Sequence, residues 1–228
     1  MLEGQKCLVI GSGISGIGAV ALLEKYHADV VLYDSSDKLT KEDLEAKLPG
    51  ESKAVCIAGE LPEEVELSIQ AAVLSPGVPT DIPLVNRMRD RGVQILGEIE
   101  LGFLAEQGRV IAITGTNGKT TTTTLTGEIM KAHFGEEKTF VVGNIGNPYT
   151  LEVTKTSKDS VTVGEISSFQ LETIHTFHPV VSAILNITPD HLNRHHTMEA
   201  YVAALSLIHI SEAHETVLDL VCRLLLEK

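Results

Sequence analysis

The chain has 228 residues, of which 43% are hydrophobic, and a formal net charge of −13. This length and composition allow one large domain or two small ones around a sizeable core. The acidic balance excludes a general nucleic-acid binder, which carries a basic surface, so any phosphate ligand must be held by local groups.

The first half of the chain alternates short apolar runs with helical segments. The predicted strands are KCLVIG, DVVLYD and AAVLS, and the predicted helices are ISGIGAVALLEKYH and PLVNRMRDRG, which stops at Gly92. This alternation predicts a parallel sheet with helices on both faces. The segment GEIELGFLAEQG, residues 97–108, predicts a connecting helix, and we place the domain boundary after residue 94.

A second unit of the same kind begins near Arg109. RVIAIT predicts a strand, GTNGKT a loop and TTTTLTGEIMKAHF a helix, and FVVGN, SVTVGEIS and VVSAILNI predict three further strands. The sequence therefore predicts an α/β fold with two domains, 1–94 and 95–204.

The first glycine-rich loop is GSGISG, which spans Gly11–Gly16. It fits the pattern G-x-G-x-x-G between a strand and a helix, and Asp34 ends the next strand 18 residues beyond Gly16. This arrangement is typical of a dinucleotide site in which the acid binds a ribose hydroxyl. The alternative is a tight strand–helix turn that binds another ligand or none.

The second loop, ITGTNGKTT, nearly fits the phosphate-loop pattern G-x-x-x-x-G-K-[ST]. Gly118, Lys119 and Thr120 fill its last three places, whereas Ile113 stands where the first glycine belongs. Gly115 and Gly118 let backbone N–H groups face an anion at the start of a helix. Lys119 can reach the β- and γ-phosphates and Thr120 can bind Mg²⁺, so the loop predicts a triphosphate site.

Four motifs occur in order along the second half: ITGTNGKTT, GNIG, GEISSFQLE and NITPDHLNRH. Together with GSGISG, YDSS and SPGVP in the first half, they resemble the Mur ligase family, the ATP-dependent amide ligases of peptidoglycan assembly. The resemblance covers about residues 5 to 204. In that family the phosphate loop reads G-T-x-G-K-[ST], so Ile113 is an ordinary strand residue and the loop is expected to hold ATP.

The resemblance implies a Rossmann-like N-terminal domain followed by a P-loop ATPase-type central α/β domain. Three widely spaced cysteines, with neither a signal-peptide pattern nor an apolar run of membrane length, predict a cytoplasmic protein. The best match is to the branch that joins D-glutamate to UDP-N-acetylmuramoyl-L-alanine. In that reaction ATP phosphorylates the substrate carboxylate, and the amine attacks the acyl phosphate to give the amide, ADP and phosphate. The implied cofactors are ATP and Mg²⁺, and neither nucleic acid, membrane nor an obligate protein partner is expected.

The resemblance also assigns roles to individual residues. The ATP-binding set comprises Gly115, Thr116, Asn117, Gly118, Lys119, Thr120, Thr121 and Asn144. The first loop is then expected to bind the UDP part of the substrate rather than NAD, and the substrate-binding set comprises Gly11, Ile14, Ser15, Asp34, Gly77, Asn144, Ser167 and His191. The implied Mg²⁺ ligands are Thr120, Glu165 and His191, and the implied catalytic residues are Lys119, Glu165 and His191.

The residues themselves leave simpler alternatives open. Glu165 ends an apolar strand, where a carboxylate faces the ligand crevice, but it can equally be a plain strand-end acid. Asn144 between two glycines fits a turn, and Ser167 fits a helix cap. His195 and His196 show no metal-ligand spacing and are predicted to be surface residues.

The family pattern breaks near the end of the central motifs. The family helix reads close to Y-x-x-A-K, with a carbamylated lysine beside a second Mg²⁺, but that place falls at Leu205. From residue 205 to 228 we find no resemblance, and LSLIHISE is similar to translated sequencing-adapter sequence. We therefore expect residues 205–228 to be an artefact, the central domain to be incomplete and the D-glutamate-binding domain to be absent, which would leave this fragment inactive.

Three other functions stay open at this point. Another Mur ligase or a folylpolyglutamate synthase relative would share the ATP loop. A nicotinamide-dependent oxidoreductase would use GSGISG and Asp34, although ITGTNGKTT would then be unexplained. A non-catalytic nucleotide-binding module would bind the UDP-substrate without turning it over.

Overall fold

Residues 2–209 are described by a computed structural model and form two parallel β-sheets, one in each half of the chain. Residues 210–228 lie outside the described part, and so does most of the segment predicted to be an artefact. Within residues 2–209, every helix is too short or too polar to cross a lipid bilayer.

The first sheet has five strands in the order β3-β2-β1-β4-β5, and every pairing is parallel, as the sequence predicted. The strands are β1 (Lys6–Ile10), β2 (Asp29–Asp34), β3 (Val55–Ala58), β4 (Ala71–Leu74) and β5 (Gln94–Gly97). The helices are α1 (Ile14–Lys25), α2 (Lys41–Glu45), α3 (Glu63–Ser68) and α4 (Pro83–Asp90). The two edge strands, β3 and β5, were not predicted from the sequence.

Helices cover both faces of this sheet. Successive side chains of a strand point to opposite faces, so Cys7 and Val9 of β1 pack on the side of α1. Leu8 and Ile10 of the same strand pack on the other side, in a cluster that contains Val85 and Met88 of α4. Strands buried on both faces read as continuous apolar runs, which is why KCLVIG was recognisable from sequence.

The sheet also corrects the predicted domain boundary. Strand β5 pairs in parallel with β4, with Ala71 opposite Gln94 and Leu74 opposite Gly97. A boundary after residue 94 therefore cuts through a strand of the first sheet. The first domain extends to Gly97, where α5 (Glu98–Ala105) begins the connection to the second.

The second sheet has four parallel strands in the order β7-β8-β6-β9. Its strands are β6 (Arg109–Thr114), β7 (Thr139–Gly143), β8 (Val161–Glu165) and β9 (Val181–Ile184). Its helices are α6 (Lys119–Phe134), α7 (Tyr149–Glu152), α8 (Ser168–Leu171), α9 (Leu192–His195) and α10 (Met198–Ser206). All the strands predicted for this half are present, and each ends at the same edge of the sheet because they run in one direction.

Glycines allow the two domains to pack closely. Helices α1 and α5 meet α7 of the second domain, and one hydrophobic core runs through both. A Cβ atom at Gly102 would lie 2.7 Å from Cδ1 of Tyr149, and one at Gly18 would lie 2.6 Å from Oγ1 of Thr150. The Tyr149 ring is fixed in turn, because its hydroxyl donates to Glu106 Oε2 at 2.8 Å.

We predict that Gly102→Ala destabilises the protein by about 1–3 kcal/mol, because the added methyl group meets a buried ring that is held by its hydroxyl. Urea unfolding followed by circular dichroism measures this change. Gly50→Ala is the matched control, since a Cβ there meets nothing within 4 Å. Equal midpoints for the two variants would contradict the close domain packing.

Candidate nucleotide-binding site

The loop after β6 is shaped by two glycines with positive φ. Gly115 has φ +132° and Gly118 has φ +82°, values that disfavour any residue with a side chain. A Cβ at Gly115 would also lie 3.0 Å from the carbonyl oxygen of Asn186. In the described chain α6 begins after Gly118 without a side-chain cap, so its first N–H groups stay free for an anion.

Lys119 lies across this loop at the first position of α6. Its Nζ donates to the carbonyl oxygens of Gly115 at 2.8 Å and Thr116 at 3.0 Å. Thr120 and Thr121 follow on the first turn and are exposed. The Lys119 ammonium group, the uncapped start of α6 and the hydroxyls of Thr120 and Thr121 thus lie next to the same loop. This arrangement suits the binding of a phosphate group.

The end of β9 holds the phosphate loop from the side. Asn186 accepts from the backbone N–H of Asn117 at 2.9 Å and donates to its carbonyl oxygen at 2.9 Å. The hydroxyl of Thr116 lies 3.0 Å from that of Tyr201 and also accepts from the Thr188 N–H at 3.0 Å. Asn186 was missed by the sequence reasoning, although a polar residue after a parallel strand is the signal that identified Glu165.

Glu165 ends the central strand β8 and is only 1% exposed. Its Oε1 accepts from Asn144 Nδ2 at 2.7 Å, and its backbone oxygen accepts from the Asn144 N–H at 2.8 Å. Its Oε2 is buried and has no hydrogen-bond partner among residues 2–209. A buried carboxylate oxygen of this kind calls for a ligand, and a divalent cation is one that fits its chemistry.

The implied Mg²⁺ set fits the structure in part. Residues 2–209 contain no group of three or more His, Cys, Asp or Glu side chains that could hold a metal ion. Mg²⁺ is commonly bound through one or two carboxylates together with phosphate oxygens and water, so Glu165 with a threonine hydroxyl is a sufficient protein contribution. His191 makes its contacts elsewhere, with Nε2 3.5 Å from Asp190 Oδ2 and its ring 4.9 Å from that of Phe169.

Ser167 caps the start of helix α8, which was the simpler of the two roles open to it from the sequence. It forms a capping box with Gln170, accepting from the Gln170 N–H at 3.3 Å while its own N–H donates to Gln170 Oε1 at 2.9 Å. A contact with substrate stays a prediction for Ser167.

Leu205 lies on α10 and is fully buried in the hydrophobic core, so it offers no ligand for a second metal.

His195 was predicted to be a surface residue, and this was wrong. It is 6% exposed, and its Nε2 lies 2.9 Å from Ser168 Oγ while its Nδ1 lies 3.4 Å from Glu172 Oε1. His195 is the last residue of the four-residue helix α9, and its ring packs against Phe169 of α8. Burial lowers the pKa of His195, and the nearby Glu172 carboxylate offsets this only in part.

Glu172 also connects the two domains. Its Oε2 accepts from Arg194 at 2.7 Å and from the Thr80 hydroxyl of the first domain at 3.3 Å. Thr80 belongs to the turn after β4 that contains Gly77. The segments that carry Gly77 and His191 are therefore linked by side-chain contacts across the domain interface.

The first loop is a tight turn with its own internal bonds. A Cβ at Gly16 would lie 1.9 Å from the carbonyl oxygen of Gly11, so only glycine fits there. Asp34 Oδ2 accepts from the Ser12 N–H at 3.0 Å and the Ser12 hydroxyl at 2.6 Å. Helix α1 starts at Ile14, which is 67% exposed, and no side chain within the described chain caps it.

The remaining predicted residues surround the same turn. Ser15 lies in the first turn of α1, next to Ile14. Gly77 is exposed, and nearby Ser75 donates its hydroxyl to the carbonyl oxygen of Gly11 at 3.1 Å. The structure thus brings all five first-domain candidates to one edge of the first sheet.

We predict that His195 makes the free energy of unfolding depend on pH below about 6.5. The unfolded chain takes up a proton near the ordinary pKa of 6.5, whereas the buried ring does so only at lower pH. Stability is therefore complete above that pH and declines as the pH falls, by at most about 1.4 kcal/mol per pH unit for one site.

The variant His195→Gln, which keeps a hydrogen-bonding side chain, should flatten this slope in urea titrations between pH 5 and pH 7. His133→Gln on the exposed side of α6 is the control and should keep the slope. Identical slopes in both variants would exclude His195 as its origin.

Comparison with protein families gives two matches that follow the two domains. Residues 5–97 match the family model described as Mur ligase MurD-like, N-terminal domain. Residues 113–218 match the model described as Mur ligase middle domain, so the family match runs past residue 205, where the sequence reasoning found no resemblance. The first match ends at Gly97, where the first sheet ends.

Curated relatives and solved structures agree with these matches. The chain is 59% identical over 200 residues to UDP-N-acetylmuramoylalanine–D-glutamate ligase of Lachnospira eligens, and 55% identical over 201 residues to the protein of that name from Lachnoclostridium phytofermentans. Each alignment spans 88% of this chain and 44% of the relative, so the matched part covers less than half of each relative's length.

Among solved structures, the UDP-N-acetylmuramate:L-alanyl-gamma-D-glutamyl-meso-diaminopimelate ligase from Neisseria meningitides matches with a TM-score of 0.56 at 15% identity. The match covers 90% of this chain and 67% of that one. At this identity the match supports the fold alone.

Proposed function

Because the chain belongs to the Mur ligase family, we propose that it is the N-terminal part of an ATP-dependent ligase that adds D-glutamate to UDP-N-acetylmuramoyl-L-alanine. The names of the relatives at 59% and 55% identity support this choice within the family. The proposal concerns the whole enzyme, of which this chain supplies the two domains described above.

One observation carries the proposal: the open phosphate loop and Glu165 Oε2, which has no hydrogen-bond partner among residues 2–209, belong to adjacent strands. In the pairing of β6 with β8, Ile113 lies opposite Glu165, and the loop begins two residues after Ile113. A carboxylate oxygen without a partner beside a phosphate loop suits a nucleoside triphosphate bound with Mg²⁺. An acyl-activating ligase requires this combination.

Each residue of the second loop and of its neighbouring strand has a separate role in the transfer of the γ-phosphoryl group to the substrate carboxylate. The loop N–H groups hold the phosphate oxygens, and Lys119 offsets the charge that develops as the γ-phosphoryl group passes to the substrate carboxylate. Glu165 and the Thr120 hydroxyl would hold Mg²⁺, and His191 would join them only after leaving its contacts with Asp190 and Phe169. When bound, Mg²⁺ neutralises the phosphate charges and keeps the reacting oxygens in line. Asn144 keeps the Glu165 carboxylate in place.

The first domain would bind the uridine end of the sugar nucleotide. Gly11, Ile14, Ser15 and Gly77 line the turn, and Asp34 supplies the acceptor for the base or ribose. Asn144, Ser167 and His191 would face the part of the substrate that carries the reacting carboxylate. The Glu172 contact between the domains supports this division, because it joins the Gly77 turn to the helices next to His191.

We predict that Lys119→Met weakens binding of Mg²⁺ with a non-hydrolysable ATP analogue by about tenfold or more, since a charged hydrogen bond to phosphate is lost. Isothermal titration calorimetry on the 228-residue chain measures the Kd. Lys131→Met, on the same helix and paired with Glu128, is the control and should bind as tightly as the parent chain. Unchanged affinity in the Lys119 variant would refute the assignment of the loop.

Glu165→Gln should remove the dependence of nucleotide affinity on Mg²⁺. The glutamine keeps an oxygen for Asn144 but has no charged oxygen for the cation, so adding Mg²⁺ no longer tightens binding. Titrations with and without Mg²⁺ measure the difference. Glu152→Gln, a surface residue paired with Lys155, should leave the Mg²⁺ effect intact.

The reaction itself is tested in a chain in which residues 205–228 are replaced by the corresponding C-terminal part of the Lachnospira eligens protein. We expect ADP release only when both UDP-N-acetylmuramoyl-L-alanine and D-glutamate are present. Release with another amino acid in place of D-glutamate would assign the chain to a different branch of the family.

A further inference from the structure

A lysine that no motif identified contacts the first loop. Lys47 follows α2, and its Nζ lies 2.9 Å from the hydroxyl and 3.4 Å from the carbonyl oxygen of Ser12. Ser12 is the second residue of GSGISG and is 5% exposed. Within residues 2–209, Lys47 is the one basic side chain that is hydrogen-bonded to this loop.

The chemistry of the three groups sets the direction of their hydrogen bonds. An ammonium group only donates, so the Ser12 hydroxyl must accept from Lys47. Its own proton is then directed to Asp34 Oδ2, 2.6 Å away, which also accepts from the Ser12 N–H. Lys47 therefore acts on Asp34 through Ser12, and a neutral side chain at position 47 would leave Asp34 as the one side-chain partner of this hydroxyl among residues 2–209.

This arrangement leaves part of the Asp34 carboxylate available. Oδ2 is occupied by both Ser12 donors, whereas in the described part of the chain Oδ1 accepts a single hydrogen bond, from the Ser36 N–H at 3.1 Å. A carboxylate oxygen accepts two such bonds, so Oδ1 keeps one place for a ligand N–H or O–H donor.

The carboxylate is also kept ionised. Partial burial raises the pKa of Asp34, but the hydrogen bonds from Ser12 and Ser36 and the charge of Lys47 outweigh it, so the pKa ends below its usual value. In a chain of net charge −13, a lysine beside this acid is a specific local feature and not part of a basic surface.

We propose that Lys47 is a positioning residue for uridine recognition, which orients Ser12 so that Asp34 Oδ1 meets a donor of the base or ribose. The inference rests on the proposed function, because it takes the first loop to be the uridine-nucleotide site. It assigns Lys47 to the nucleoside and not to the diphosphate.

Two probes separate these roles, namely uridine and uridine diphosphate. In Lys47→Met on the 228-residue chain, we expect the affinity for both to fall by the same factor, about fivefold, as is typical of residues coupled in one network. NMR titration measures the uridine Kd and calorimetry the diphosphate Kd. A loss confined to uridine diphosphate would mean that Lys47 contacts phosphate and would overturn the proposal.

A second variant tests the route through Ser12. In Ser12→Ala the hydroxyl is gone, so adding Lys47→Met should cause no further loss of uridine affinity. A full additional fivefold loss in the double variant would contradict the relay. Lys41→Met, an exposed lysine on α2 paired with Glu45, is the matched control and should bind both probes like the parent chain.

Two further readouts keep the outcome clear. Affinity of the second loop for the ATP analogue should be unchanged in Lys47→Met, because that loop lies in the other domain, and far-UV circular dichroism should show that the variant is folded. If the parent chain binds neither uridine nor its diphosphate, the proposed function of the first domain fails and this inference with it. If the parent binds both and Lys47→Met binds them equally well, only the role of Lys47 is refuted.

Discussion

The parallel pairing of β6 with both β8 and β9 is the constraint on which the second domain depends. It brings the carboxyl ends of three strands to one edge, so that the phosphate loop, Glu165 and Asn186 meet there although they are far apart in the chain. Asn186 bonds both backbone groups of Asn117, and Ile166 donates its N–H to Ile113. The loop is thus braced from both neighbouring strands before any ligand arrives, which lowers the ordering cost of binding.

In the first domain the glycine loop is also held from both neighbouring strands, through side chains. Its loop is braced by an acid from the next strand, Asp34, and by the hydroxyl of Ser75 from the other neighbour. Both loops lead into helices whose first N–H groups have no side-chain cap within the described chain. In this acidic protein a phosphate at either loop would be held by backbone dipoles, with Lys119 added at the second loop, because the overall charge repels phosphate.

The two loops are tied to each other by the domain interface. Gly18 and Gly102 remove the side chains that would hold α1 and α5 away from α7. On the other side, Glu172 joins Thr80 of the first domain to Arg194 of the second. A ligand that moved the Gly77 turn would act directly on these contacts, which are half-buried and so are poorly screened by salt.

The sequence by itself determined the α/β class, the strands buried on both faces and the two glycine loops, because these depend on local periodicity and backbone freedom. The motif set also indicated the family and singled out Glu165, whose place at the end of an apolar strand left a plain strand-end acid equally open. Only the tertiary structure decided that β5 belongs to the first sheet, that His195 is buried and that Lys47 reaches Ser12. Each of these depends on a pairing or packing partner distant in the chain, which no local pattern encodes.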